Sequence, residues 1–339
     1  MWRPFLPLLI PGPLTSRSFV FSWFKDQTQN HMDAFTDFST ALDLVADATD
    51  EVRPVPGFAQ DSLLYPDLPA HLYHADRDAL SCSLLKPLLV SPAHFQAALT
   101  ATQSSSDAKD FGTLLHLLLL QPHLTGQEVA VYPEIVSPLS RDYKAFLECN
   151  SHKLVVDEPT FTKARLLADK VRETRYKGRP LGLFLEEAQT EVSIYFTEPT
   201  TGLRLRVRHD IFHPDLAFDL KSTRHPSVGL FTRDAVKLDY DLQAFMYSLA
   251  RSLYEGTSDT KPFVFIAAES SEPFSVHTLA AGGTFLTNGA KKFQECLSVY
   301  KACSVTGHWP DLSSDGEIEI DHWQQYTPTR AWAAGQSAA

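Results

Sequence analysis

Asp219 and Lys221 stand two residues apart in Phe218-Asp219-Leu220-Lys221-Ser222-Thr223, a short run that reads as a mostly apolar strand. Alternate residues of a strand share a face, so the carboxylate and the ammonium lie side by side while Phe218 and Leu220 face the other way. Charged groups inside an apolar strand need a partner, a solvated edge or a chemical task. Two further acids fall into line with them. Pro214-Asp215 and Pro199-Thr200-Thr201-Gly202 are both turn chemistry. A hairpin centred between Pro214 and Asp215 sets Asp210 opposite Asp219, and one centred between Thr200 and Thr201 sets Glu191 opposite Asp210. An unbulged sheet therefore carries Glu191, Asp210 and Asp219 as a row across three strands, with Lys221 one same-face step beyond.

Opposed side chains on neighbouring strands have β-carbons about 4.5–5.5 Å apart, and like charges there repel. A row of three acids is expected where a cation holds them together or where one is protonated. Hard oxygen donors of this kind suit Mg²⁺, with Mn²⁺ as a substitute. A divalent ion could lower the pKa of a bound water, and Lys221 could orient that water or stabilise charge developing on a phosphodiester. The competing reading is a solvated face, because Arg204, Arg206 and Arg208 share the parity of Asp210. The lysine beside Asp219 in an otherwise apolar strand favours a site.

Strands must present these residues, and the chain supplies them late. Ser91-Pro92 marks a helix start, a cap followed by proline at the first helical position. Residues 102–110 read as a polar loop, and "FGTLLHLLLLQP" as an apolar helix ending at Pro122 and carrying His116. Residues 142–175 read as mainly helical. From Thr190 the character changes to three strand-like runs. A helix over about 239–254 follows, with Gln243 and Tyr247 on one face, then the strands "FVFIAAE" and "FSVHTLA", then a helix over about 283–304. Helical first half, β-meander, helix, hairpin and helix together predict a mixed sheet flanked by helices, α/β or α+β.

The bulk composition sets outer bounds. The chain has 339 residues, 44% hydrophobic and 21% charged, as in ordinary globular proteins. Its formal charge of −11 excludes a protein that coats nucleic acid non-specifically. Any basic DNA track must be local, with Arg224, Arg233, Lys237, Lys291 and Lys292 as candidates against the equal alternative of a solvated face. Four cysteines without a CxxC pair read as reduced thiols of a cytoplasmic protein. The first 24 residues are apolar but broken by Pro4, Pro7, Pro11 and Pro13. They are expected to be an irregular leader, with Met32 as an alternative start, and no membrane span is expected elsewhere. The expected organisation is a poorly ordered leader over 1–65 with one amphipathic stretch near 33–47, a single domain over 66–325 and a flexible tail over 326–339.

A carboxylate, then Asp-x-Lys on the next strand, then a helix with Gln-x-x-x-Tyr resembles the PD-(D/E)xK nuclease superfamily. More narrowly, the pattern resembles the RecE (exonuclease VIII) type of phage and prophage exodeoxyribonuclease, a relative of the RecB nuclease domain. "YHADRDALSCSLLKPLLVSPAHFQAAL" is similar to that family's first segment, "FGTLLHLLLLQP" to its Phe-Gly-x-x-x-His helix and "TGLRLRVRHDIF" to its Thr-Gly…Arg-x-Asp strand. "LQAFMYSLA" resembles its Gln-x-x-x-Tyr helix and "GHWPDL" its Gly-x-Trp-Pro segment. The resemblance covers about residues 70–325. Departures are His209 before Asp210, Arg206 where a glycine is common, and Ser222 in place of the first threonine after the lysine; they bear on the DNA contacts of that strand.

The resemblance implies a restriction-endonuclease-like core with a helical N-terminal half. It implies that His116, Asp210 and Asp219 hold the metal, that Glu191 takes the preceding acidic position and that Lys221 is the catalytic lysine. Gln243 and Tyr247 would support the site and contact the DNA strand. The implied activity is metal-dependent hydrolysis of linear double-stranded DNA, 5′→3′, in recombination. A ring-like homo-oligomer and a RecT-like single-strand annealing partner would accompany it. Two alternatives remain open at this point: a DNA-binding or inhibitory module that has lost cleavage, and a Cas4- or RecB-like nuclease with an iron–sulfur cluster, against which the Cys296-x6-Cys303 spacing speaks.

Overall fold

A computed structural model describes residues 62–101, 106–134, 140–225 and 227–312. The expectations for the leader through residue 61, its amphipathic stretch and the C-terminal tail lie outside these residues. The described chain opens with β1 (Leu63–Tyr65), α1 (Ala70–Ala75), β2 (Leu80–Ser81) and α2 (Cys82–Leu85), which runs into a 3-10 turn over Lys86–Leu89. In α3 (Pro92–Thr100) Ser91 Oγ accepts the His94 N–H, the cap that the sequence predicts. α4 (Asp107–Leu120) begins inside the stretch expected to be a loop. Ser106 Oγ accepts the Lys109 N–H there, and Asp107 and Asp110 complement the positive end of the helix.

After α5 (Thr125–Glu128) come β3 (Val129–Tyr132), α6 (Arg141–Cys149), β4 (Leu154–Asp157) and α7 (Glu158–Glu173). The segment expected to be mainly helical thus contains a strand. Leu154-Val155-Val156 favours extended backbone and pairs in parallel with β3. A small hairpin, β5 (Arg175–Tyr176) and β6 (Arg179–Pro180), precedes α8 (Leu181–Glu187). The meander is β7 (Gln189–Thr197), β8 (Arg204–His213) and β9 (Leu216–Thr223). Next come α9 (Val228–Lys237), unforeseen because it buries only Phe231 and Ala235, and α10 (Tyr240–Glu255). β10 (Phe263–Glu269), β11 (Val276–Ala280) and α11 (Gly283–Thr306) complete the described chain.

The sheet order is β1-β7-β8-β9-β10-β11, with β2 parallel beside β8. Its strands are antiparallel except for β2 and the β9–β10 pair, which α9 and α10 connect. On one face Ile194, Phe196, Val207, Phe263 and Phe265 meet Phe245 and Met246 of α10 and Phe293 of α11. On the other, Ile211, Phe218, Leu220, Val264 and Ile266 meet Leu114 and Leu115 of α4 and Leu167 and Val171 of α7. The product is a mixed sheet between two helical layers, the expected α/β class. Phe218 and Leu220 face α4 and α7, which leaves Asp219 and Lys221 toward α10, as strand alternation requires. Among the described residues no helix is long and apolar enough to cross a membrane.

Candidate active site

The β-registers are the expected ones. Val192 pairs with His209 and Ile194 with Val207, a hairpin centred between Thr200 and Thr201. Ile211 pairs with Phe218 and His213 with Leu216, centred between Pro214 and Asp215. The regular row of opposed acids does not form, however. Glu191 and Asp210 do not pair in the β7–β8 ladder, and the β8–β9 ladder covers only Ile211–His213 against Leu216–Phe218. Beyond it, Asp210 Oδ2 accepts the Leu220 N–H at 2.7 Å, a side chain standing where a strand would pair. Glu191 adopts a left-handed backbone, φ 58°, which is costly for a residue with a β-carbon. Both departures fall on the acids that the register brings together.

Asp219 is 1% exposed, the deepest acid of the set. Lys221 Nζ pairs with its Oδ2 at 2.6 Å, and Gln243 Nε2 of α10 donates to its Oδ1 at 2.7 Å. Burial alone would lower the Lys221 pKa, but the attraction of Asp219 and Asp210 outweighs it and raises the pKa above the usual lysine range. Lys221 is therefore a charged donor at neutral pH and not a base. Its ammonium also lies 4.8 Å from the centre of the Tyr240 ring. Tyr247, one turn beyond Gln243, is buried edge-on against His209 and Phe263, so it braces the site from below.

His116 reaches the site from the opposite layer. Its Nε2 lies 2.9 Å from the Leu220 carbonyl; a carbonyl only accepts, so Nε2 carries a proton, and in the neutral ring Nδ1 is the nitrogen with the lone pair. That Nδ1 is 3.8 Å from Asp210 Oδ2. Ligand atoms of His116, Glu191 and Asp210 all lie within 4.8 Å of one another. Arg208 orients the third member: its Nε donates to Glu191 Oε2 at 2.5 Å while Nη1 donates to the Leu68 carbonyl at 2.8 Å. Gly112 permits the approach of α4, since a β-carbon there would sit 3.1 Å from Ser222 Oγ on β9. Gly112 and His116 are four apart and share the helix face turned to that strand.

Burial, and after it the Asp219 carboxylate, push Asp210 up to about 7. An acid whose folded pKa lies above its unfolded value favours folding at low pH, and that contribution is lost as pH rises from about 4 through 7. The melting temperature of chelator-treated protein, relative to Asp210→Asn at the same pH, should fall across that window. A flat difference would contradict the raised value. His209 works in the opposite sense, because burial pushes it down to about 3 and neither ring nitrogen has a hydrogen-bond partner. The comparison with Asp210→Asn at each pH removes its contribution.

Other expected roles fall elsewhere. Lys292 is not free for a basic track: it is paired with Asp239 at 2.6 Å and Asp241 at 2.9 Å. Cys82, Cys296 and Cys303 are buried, and burial raises the Cys82 and Cys296 thiols above the usual range. Trp309 stacks on Phe95 with ring centres 5.1 Å apart, a packing role. Tyr240 and Lys86 were not singled out by sequence, and Arg208 was read there only within the Arg-x-Asp motif or as part of a possible solvated face, whereas it pairs with Glu191 and the Leu68 carbonyl.

A mixed sheet between helical layers, with acids from neighbouring strands and a lysine two residues past the inner acid, is the architecture of the PD-(D/E)xK nuclease fold. Residues 81–321 match the family described as "PDDEXK-like domain of unknown function (DUF3799)", and the chain belongs to that family. The fold is similar to the crystal structure of a protein from Eubacterium rectale described as a "Putative exonuclease". The TM-score is 0.51 over 79% of this chain and 99% of that one, at 12% identity, so the likeness is one of fold. No curated protein matches the sequence.

Proposed function

We propose that the protein is a metal-dependent deoxyribonuclease of the RecE type that degrades linear double-stranded DNA. The observation that carries this reading is the convergence of His116, Glu191 and Asp210 beside the Asp219–Lys221 pair where β8 and β9 part. Two carboxylates and an imidazole with its lone pair inward fit a divalent cation such as Mg²⁺ or Mn²⁺. The sequence-based ligand set was His116, Asp210 and Asp219; the distances favour Glu191 in third place, with Asp219 beside it holding Lys221. A bound cation would supply an activated water and neutralise charge on the phosphodiester.

The protein's own groups divide the remaining work. Lys221, kept protonated by Asp219, donates to the charge that develops on the phosphate. Gln243 fixes Asp219, and so fixes the lysine. Asp210 and His116 are tied to the Leu220 peptide by its N–H and its carbonyl, which sets both relative to the lysine strand. Arg208→Leu would remove the guanidinium that orients the Glu191 carboxylate. Partners that orient a metal ligand are typically worth about 10–100-fold in affinity, so Mn²⁺ binding by calorimetry should weaken by about that factor.

The resemblance to RecE supports exonucleolytic action, 5′→3′ polarity, a ring-like homo-oligomer, a RecT-like annealing partner and a cytoplasmic setting. Linear duplexes carrying a label at either the 5′ or the 3′ ends test the polarity with Mg²⁺ present. Early release of the 5′ label as short products, with the 3′ label retained until late, is expected. Release of the 3′ label first would reject the RecE type while keeping a nuclease.

A further inference from the structure

Lys86, in the turn after α2, is a half-buried ammonium with little local compensation. Its Nζ donates to the Leu238 carbonyl at 2.6 Å and lies 5.2 Å from the centre of the Tyr240 ring. Lys221 Nζ is 4.8 Å from the same ring centre, so the two ammonium nitrogens are no further apart than the sum of those distances. Among the described residues no carboxylate lies within 4.0 Å of Lys86. Asp239, which follows Leu238 in the chain, and Asp241 pair instead with Lys292. Burial, and among weaker influences Lys221, hold Lys86 below the usual lysine range. A partly dehydrated cation with unused donors gains from an arriving anion.

We propose that Lys86 binds the DNA phosphate next to the one engaged at Lys221, with Tyr240 as the shared wall that spaces the two lysines. The assignment rests on the nuclease reading above. Successive phosphates of one strand advance only about 3.4 Å along the duplex axis, so two ammonium groups around one aromatic ring can serve neighbouring phosphates of one strand. The pair would then fix the register of the strand in the site, a backbone contact without base preference.

Binding of a fluorescein-labelled linear duplex, with Ca²⁺ in place of Mg²⁺, tests this by anisotropy across a salt series. Lys86→Gln should weaken binding several-fold and reduce the slope of log affinity against log salt by about one, the signature of one lost phosphate contact. Lys86→Arg should recover most of both, and Mn²⁺ binding without DNA should be unchanged in either variant. An unchanged slope in Lys86→Gln overturns the assignment. So does loss of Mn²⁺ binding or of folding along with DNA binding, which would make Lys86 a packing residue. Wild-type protein that binds no duplex overturns the nuclease reading itself, an outcome distinct from wild-type binding with an indifferent Lys86→Gln.

Discussion

Lys221→Met should lower the single-turnover rate of duplex hydrolysis by about 10²–10³-fold, the usual effect of losing one preorganised donor to a developing anion. On the proposed reading Lys221, paired with Asp219 at 2.6 Å, is the group that serves this role. Its partner Asp219 is 1% exposed and receives one further donor, from Gln243. Removing the ammonium leaves that carboxylate buried without its paired countercharge, with only the neutral Gln243 amide still donating. Breaking a buried pair from one side costs about 3–5 kcal/mol, less whatever Asp219 recovers by taking a proton. The rate must therefore be read with a melting curve. Combining Lys221→Met with Asp219→Asn removes the stranded charge. The double variant should regain much of the stability and none of the rate. A double variant that recovered hydrolysis would show that the lysine acts only through folding.

Gly289→Ala should be the most damaging change remote from the chemistry. A β-carbon at Gly289 would lie 2.0 Å from the Asp241 carbonyl oxygen and 2.4 Å from its carbon. Those are backbone atoms of α10, so no rotamer change can relieve the clash. Helices α10 and α11 would have to separate, and α10 carries Gln243 and Tyr247. Overpacking of this kind costs about 3 kcal/mol, the upper part of its usual range. Gly229→Ala is the control: it lies in α9, and a β-carbon there meets nothing within 4 Å. Alanine is the better helix former by about 1 kcal/mol, so that variant should melt no lower than wild type. Equal melting of the two variants would contradict the close contact of α10 with α11.

The site's register was legible because two turns determine it. Pro214-Asp215 and Thr200-Thr201 centre both hairpins, and strand alternation then assigns Phe218 and Leu220 to one layer and Asp219 and Lys221 to the other. Regular pairing says nothing about where a ladder stops. Where β8 and β9 part, Asp210 takes the Leu220 N–H, and the Glu191 carboxylate is held by Arg208, itself anchored on Leu68 far away in sequence. No local signal reports such contacts. Helix α4 was visible from its apolar run, but the direction of His116 is fixed by its hydrogen bond to the Leu220 carbonyl on β9. Strand β4 was missed because its short Leu-Val-Val run lies between helical segments, and it forms by pairing with β3. Lys292 looked like surface charge and proved to be a partly buried partner of Asp239 and the fully buried Asp241, a distinction that depends on the approach of α11 to α10.

The central claim is that this fold hydrolyses DNA from ends at a metal site built by His116, Glu191 and Asp210. Incubating linear and covalently closed duplexes of the same sequence with Mg²⁺, with and without EDTA and with Asp210→Asn, tests it most directly. The account predicts loss of the linear form only, abolished by EDTA and by the substitution. Cleavage of closed circles would keep the site and contradict the end requirement. A folded protein that leaves both forms intact with every divalent cation would contradict the enzyme reading and leave a DNA-binding module on a nuclease fold.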